Sequence, residues 1–233
     1  MTDVAAERIP LAELTQKLGV DIDPELLSLA LTHRSWAYEN GQVPHNERLE
    51  FLGDSVLGLA VTVRLFTGHP ELEEGALAKR RASVVSTVAL AEIARGIGLG
   101  AHLKLGRGEI LTGGRDKDSI LADTMEAIFG ATYLSTGPEA ATGLVLRLVE
   151  PLLADPERYG AAMDPKTALQ ELAARRGLLP PAYQVTSTGP DHDRRFTATV
   201  TIGELTAEGA GTSKKHAEMS AALTAWRELS GRA

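Results

Sequence analysis

Apolar residues recur every three or four positions through most of residues 11–149, a spacing that predicts helices almost throughout. The interruptions are helix punctuation: Asp23-Pro24, residues 41–44, residues 68–70, residues 106–108, Gly113-Gly114 and Gly137-Pro138. The glycine-rich run GIGLG at residues 96–100 follows a helical pattern rather than a strand, so it is a helix end and connector. Beyond residue 164 the texture changes. A helix is expected over residues 165–177, then three strand-like runs at 183–188, 196–202 and 204–210, with turns at Gly189-Pro190 and Gly203. A last helix covers residues 213–229, with Thr212 or Ser213 as its N-cap. The expected architecture is an all-α domain over residues 1–155, of which 1–10 form a loose tail, then a linker at 156–163. A small α+β domain of order α-β-β-β-α follows at 164–233.

Charge is distributed unevenly over this plan. The net charge is −7, with −8 carried by residues 1–155 and +1 by residues 164–233. An acidic chain is a poor default candidate for nucleic-acid binding, because phosphate attraction is the sequence-independent part of affinity. The objection weakens once the domains are considered separately, since the second contains a local basic cluster. There are no cysteines, which excludes disulfides and thiolate zinc sites. The N-terminal residues lack a signal-peptide pattern and no segment approaches the ~20 apolar residues that span a bilayer, so a cytoplasmic protein without a membrane partner is expected.

Two segments carry the candidate chemistry. HNERLEFLGDSVL at residues 45–57 sets Glu47, Glu50 and Asp54 at spacings of three and four, within roughly 60° of one another on a helix. Leu49, Leu52, Val56, Leu59 and Val63 would line the opposite, core-facing side. The stripe reads either as a solvated face or as a set of ligands. Phe51, lying beside the acids, has no use on a solvated face. The second segment, SILADTMEAIFGATYL at residues 119–134, is apolar nearly all round, and its only charges are Asp123 and Glu126. Like charges on so apolar a helix need a compensating cation. Four carboxylates from two helices, with no lysine placed to neutralise them, suit a hard divalent metal better than an acidic surface.

The first of these segments is similar to the signature of the ribonuclease III family. The likeness continues through LTHRS at 31–35, EGALAKRRASVVS at 74–86, LKLGRGE at 103–109 and SILADTMEAIFGA at 119–131. The resemblance implies an endoribonuclease that cuts double-stranded RNA with Mg²⁺, for which Mn²⁺ could substitute. It implies products with 5′-phosphate, 3′-hydroxyl and short 3′ overhangs, and a role in maturing ribosomal and structured transcripts. Glu50, Asp54, Asp123 and Glu126 would form the metal cluster, with Asp54 and Glu126 most directly tied to catalysis and Glu126 a direct ligand. Glu47 and Glu74 match acidic positions bordering the cleavage valley, although Glu74 also suits a helix start. By the same resemblance Phe51 belongs to the contact of a two-fold homodimer. Lys79, Arg80 and Arg81 are either a solvated face or phosphate contacts.

The second domain resembles the double-stranded-RNA-binding domain through DPKTALQELAARRG at 164–177, TGPDHDRRF at 188–196 and GAGTSKKHAEMSAA at 209–222. The resemblance would set Thr167, Gln170 and Glu171 in one minor groove and His192 in the next. Lys214 and Lys215, at a helix start, would take the phosphates between them. A-form RNA shows 2′-hydroxyls across a shallow minor groove, so a duplex reader needs polar side chains at two such grooves and cations between. One rival is an RNA-binding protein with an inactive nuclease-like domain, which the four acids oppose. Another is a helical metal hydrolase of nucleotides, which has no need of a duplex clamp.

Overall fold

The computed structural model describes residues 11–154, 156–190 and 194–231, so the expected tail at 1–10 lies outside them. The chain divides into two units between Pro156 and Glu157. In the described part of the first, the regular elements are helical: α1 (Leu11–Leu18), α2 (Pro24–Ala30), α3 (Arg34–Glu39), α4 (Glu47–Gly68), α5 (Glu74–Val84), α6 (Thr87–Gly96), α7 (Arg107–Leu111), α8 (Asp118–Thr136) and α9 (Pro138–Leu153). The starts follow the sequence closely. Asp23 caps α2, its carboxylate accepting from the amides of Glu25 and Leu26 at 2.9 and 3.0 Å, with Pro24 in the first turn. Ser86 caps α6 in the same way. The GIGLG run ends α6 and turns through left-handed Gly98 into a short 3₁₀ helix, Leu99–His102.

Helix α8 is the centre of this unit. Ile120, Leu121, Ala122, Met125, Ala127, Ile128, Phe129 and Ala131 are all buried, against α4, α6 and α9 among others. The hydroxyls of Thr124 and Thr132 are buried too, and each donates to the carbonyl four residues back, at 2.7 and 2.8 Å. Helix α4 buries Leu49, Gly53, Val56, Leu57, Ala60, Val61 and Leu65. Leu59 and Val63, expected on this core side, are instead 66% and 51% exposed. The core stripe passes through positions 49, 53, 56, 57 and 60, which turns 59 and 63 outward. With Phe51 (79% exposed) and Phe66 (70%), they form an apolar arc about 120° wide.

The second unit opens within a helix, where a linker was expected. Helix α10 (Pro156–Met163) opens on a proline, whose missing N–H costs nothing at a helix start. Ala161 is buried with this unit's core. Then come α11 (Pro165–Arg175), β1 (Ala182–Thr188), β2 (Arg195–Ile202), β3 (Leu205–Gly211) and α12 (Lys214–Ser230). The sheet is antiparallel in the order β1-β2-β3, with Gln184 opposite Thr199 and Thr199 opposite Glu208. Its inner face, including Ala198, Val200, Ile202 and Ala207, packs with Leu169 of α11 and Ala217, Ala221 and Trp226 of α12. Strand β3 approaches α12 closely. A Cβ at Gly209 would lie 2.1 Å from the Ala221 amide nitrogen, which explains glycine there.

Candidate metal centre and nucleic-acid interface

The acids of the first unit are brought together by a crossing of bare backbones. A Cβ built on Gly53 of α4 would fall 1.7 Å from the carbonyl oxygen of Glu126, and one on Gly130 of α8 would fall 2.3 Å from that of Leu49. Residue 53 meets 126 while 49 meets 130, so the two helices run antiparallel. The close approach allows side chains flanking the crossing to converge. Glu50, Asp123 and Glu126 each offer a carboxylate oxygen, and these atoms lie within 4.8 Å of one another. All three residues are half-buried.

Electrostatics show how uneasy this grouping is without a cation. Burial, followed by the charges of Asp54, Asp123 and Glu50, pushes the Glu126 carboxyl up to about 7. Burial, and then Asp123 and Glu47, raise Glu50, with Arg34 opposing. Asp123 is raised by burial above all, against the pull of Arg34. None of the three is in an ion pair among the described residues. Hard carboxylate oxygens, crowded and outside any ion pair, are the donor set that a divalent ion such as Mg²⁺ takes.

Asp54 stands apart from this trio. It is exposed at the edge of the cluster, near enough for its charge to act on Glu126. Glu47 is also exposed and faces Arg34, with Nη1 to Oε1 at 3.4 Å. Glu74 is exposed in the first turn of α5, where its charge favours the helix start. Arg81 donates to Thr62 at 3.1 Å and Arg80 meets His69 at 3.2 Å. Those contacts join α5 to α4 and the residue that follows it. Phe51 is exposed beside the acids, as expected of a residue with no place in its own core.

A cavity adjoins the cluster, lined by Glu50 and Asp123 and also by His33, Arg34, Glu109 and Lys117. The last four have no role in the sequence reading. LTHRS and LKLGRGE contain three of them, but spacing alone ties these segments to no partner. Lys117 is held by Glu109 Oε2 at 2.6 Å and Thr112 Oγ1 at 2.7 Å. Its hydrogen bond holds the Glu109 carboxyl below the usual range. Burial lowers His33, whose Nδ1 lies 2.8 Å from the Ser35 hydroxyl.

In the second unit, Thr167 and Gln170 are exposed on α11, with Glu171 half-buried beside them, so the three share one helix face. Lys214 and Lys215 are exposed in the first turn of α12, whose cap is Ser213, accepting from the His216 amide at 3.2 Å. Lys166 links α11 to α12 by an ion pair with Glu218 at 2.6 Å, and its ammonium lies 4.6 Å from the ring centre of Tyr183. His192 lies outside the described residues.

Comparison with known proteins agrees with both halves of this description. A family described as Ribonuclease-III-like matches residues 23–152, and one described as double-stranded RNA binding motif matches residues 165–229. Ribonuclease 3 of Leifsonia xyli subsp. xyli is 66% identical over 227 residues, covering 97% of this chain and 96% of that protein. Ribonuclease 3 of Mycobacterium tuberculosis H37Rv is 59% identical over 220 residues, covering 93% and 92%. Among solved structures, the nuclease domain of ribonuclease III from Campylobacter jejuni matches with a TM-score of 0.58 and 40% identity. It covers 61% of this chain and 97% of its own, and is described as flexible in a region involved in dimer formation. The chain therefore belongs to the ribonuclease III family, with a double-stranded-RNA-binding motif following its nuclease domain.

Proposed function

We propose that this protein is a Mg²⁺-dependent endoribonuclease that acts as a homodimer and cleaves both strands of double-stranded RNA. Its nuclease domain spans residues 1–155 and its RNA-binding domain residues 164–233. Mn²⁺ substitutes for Mg²⁺, and the products have 5′-phosphate and 3′-hydroxyl ends with short 3′ overhangs. The substrates are ribosomal precursors and other structured transcripts in the cytoplasm. The observation that carries the reading is the trio Glu50, Asp123 and Glu126, none of them in an ion pair among the described residues and with oxygens within 4.8 Å, on a chain that also has a duplex-RNA-binding motif.

Those three carboxylates would hold the ion, with Asp54, the fourth acid expected in the cluster, at their open edge. When bound, a divalent ion supplies an activated water for attack on phosphorus and offsets charge on the leaving 3′-oxygen. Asp54, facing solvent beside Glu126, would accept a hydrogen bond from the incoming water and so orient it. Glu47 and Glu74 border the valley along which the duplex lies. The apolar arc of Phe51, Leu59, Val63 and Phe66 is covered by the second copy, which accounts for so much apolar surface on one helix.

The second domain supplies duplex recognition. Thr167, Gln170 and Glu171 meet one minor groove, His192 the next, and Lys214 and Lys215 the intervening phosphates. Binding of this kind follows shape and 2′-hydroxyls, so it carries little sequence preference. Incubating the protein with a long RNA duplex and with single-stranded RNA of the same sequence, in Mg²⁺ and in EDTA, tests the proposal. Cleavage of the duplex only, and only with Mg²⁺, is expected. An uncut duplex in Mg²⁺, or cutting in EDTA, refutes it.

A further inference from the structure

The cavity beside the acid cluster has a cationic side as well as an anionic one. Of its cations, Lys117 is tightly committed, at 2.6 and 2.7 Å, to Glu109 and Thr112. Arg34 is different. Its side chain is 72% exposed and it meets Glu47 through a single long contact of 3.4 Å. A guanidinium has five donors in a fork that fits a phosphate two at a time, so one long contact leaves most of that capacity unused.

The backbone beneath Arg34 is held firmly although the side chain is loose. The preceding His33 caps α3, its Nδ1 accepting from the Ser35 amide at 3.2 Å. The Ser35 hydroxyl in turn accepts from the Gly106 amide at 2.9 Å. The His33 amide donates to Lys104 at 3.1 Å, and Asn46, just before α4, donates to Thr32 at 2.9 Å. Arg34 is thereby anchored over the first turn of α4, which holds Glu47 and Glu50. Its positive charge reaches both Glu50 and Asp123. An RNA strand lying across the cluster brings its phosphates to this place, where the surrounding acids would repel any that found no cation.

We propose that Arg34 is a phosphate-binding residue of the nuclease domain, which exchanges Glu47 for a phosphate of the RNA strand lying across the acid cluster. Glu47 then acts as the internal counter-ion that keeps the guanidinium over the cavity until RNA displaces it. The proposal rests on the nuclease reading above, and its test separates the two.

Binding of a synthetic RNA duplex is measured in Ca²⁺, which should support binding with little cleavage, as a function of salt. The proteins are the full chain and its Arg34→Ala, Arg34→Lys, Glu47→Gln and Arg34→Ala/Glu47→Gln variants. Arg34→Ala should weaken binding about tenfold and lower the salt slope by about one, with Arg34→Lys recovering part of the loss. Glu47→Gln should tighten binding about threefold in the parent and not at all in the Arg34→Ala background. An unchanged slope in Arg34→Ala, or a Glu47→Gln gain that persists without Arg34, overturns the proposal. Failure of the parent protein to bind or cut the duplex would instead overturn the nuclease reading. Circular dichroism checks that the variants are folded, as expected for so exposed a side chain.

Discussion

Gly53 and Gly130 stand at one crossing of α4 and α8, each positioned so that a single added carbon would enter the backbone of the opposite helix. The acid cluster depends on that absence of side chains. Glu50 lies three residues before Gly53, and Asp123 and Glu126 lie within the two turns before Gly130. Any outward displacement of one helix would separate their oxygens.

Gly53→Ala should therefore destabilise the protein by about 3 kcal/mol, the upper range for overpacking, because the atom it meets is a carbonyl and cannot rotate away. It should also weaken Mg²⁺-dependent cleavage beyond what the lost stability explains. Thermal unfolding and initial rates at a temperature where the variant remains folded check both parts. Gly58→Ala, on the same helix with open space at its Cβ, should be near neutral.

The crowded acids make metal-free stability depend on pH with a definite sign. The folded Glu126 carboxyl sits at about 7, above its ordinary value of 4.5. Folding then favours its protonated form. Its contribution is fully present below pH 4.5 and is lost as pH rises to about 7. Glu50 and Asp123, raised as well, act in the same direction. In EDTA at pH 8, Glu126→Gln should be more stable than the parent by about 1–2 kcal/mol after allowance for solvent screening, and the difference should vanish near pH 4. Mg²⁺ should stabilise the parent more than the variant at pH 8. Denaturant titrations at the two pH values, with and without Mg²⁺, measure each term.

Lys214→Ala with Lys215→Ala should weaken binding to unrelated RNA duplexes by a similar factor. Each lost phosphate contact should lower the salt slope by about one, taking the duplex-DNA relation as a guide. Filter binding at several salt concentrations provides the slope, and an unchanged slope removes these lysines from the interface.

If the outer arc of α4 is the surface covered by a second copy, Leu59→Glu with Phe66→Glu should shift the protein from dimer to monomer. Neither side chain is in its own core, at 66% and 70% exposure, so the monomer should remain folded. Sedimentation measures the mass and circular dichroism the helicity. A dimer that survives both charges lies elsewhere.

Much of this was legible in the sequence because the strongest signals were local. The apolar stretch 119–134, whose only charges are Asp123 and Glu126, favours a bound cation over an acidic surface, and the strand-turn-strand texture after residue 180 points to a small sheet. What escaped depended on distant partners. Leu59 and Val63 fit an apolar stripe by spacing, but the crossing at Gly53 sets which arc of α4 meets α8. Residues 156–163 contain Pro156 and Gly160, poor helix formers, yet form a helix with Ala161 in a core supplied by residues far along the chain. Asp54 fits the acidic stripe by angle, but its oxygens are not among the three that converge. Arg34 and Lys117 meet the cluster only through the folding of α3 and of the turn before α8.

The central claim is that one group of carboxylates both holds the ion and sustains cleavage, and single-turnover cutting of an RNA duplex by Glu126→Gln tests it most directly. The variant removes one candidate oxygen ligand and one charge from the trio while leaving the second domain unchanged. Across a Mg²⁺ range that saturates the parent, it should leave the duplex intact, yet bind the same duplex in Ca²⁺ with near-parental affinity. Substantial Mg²⁺-dependent cutting by Glu126→Gln would contradict the assignment of this cluster as the metal centre.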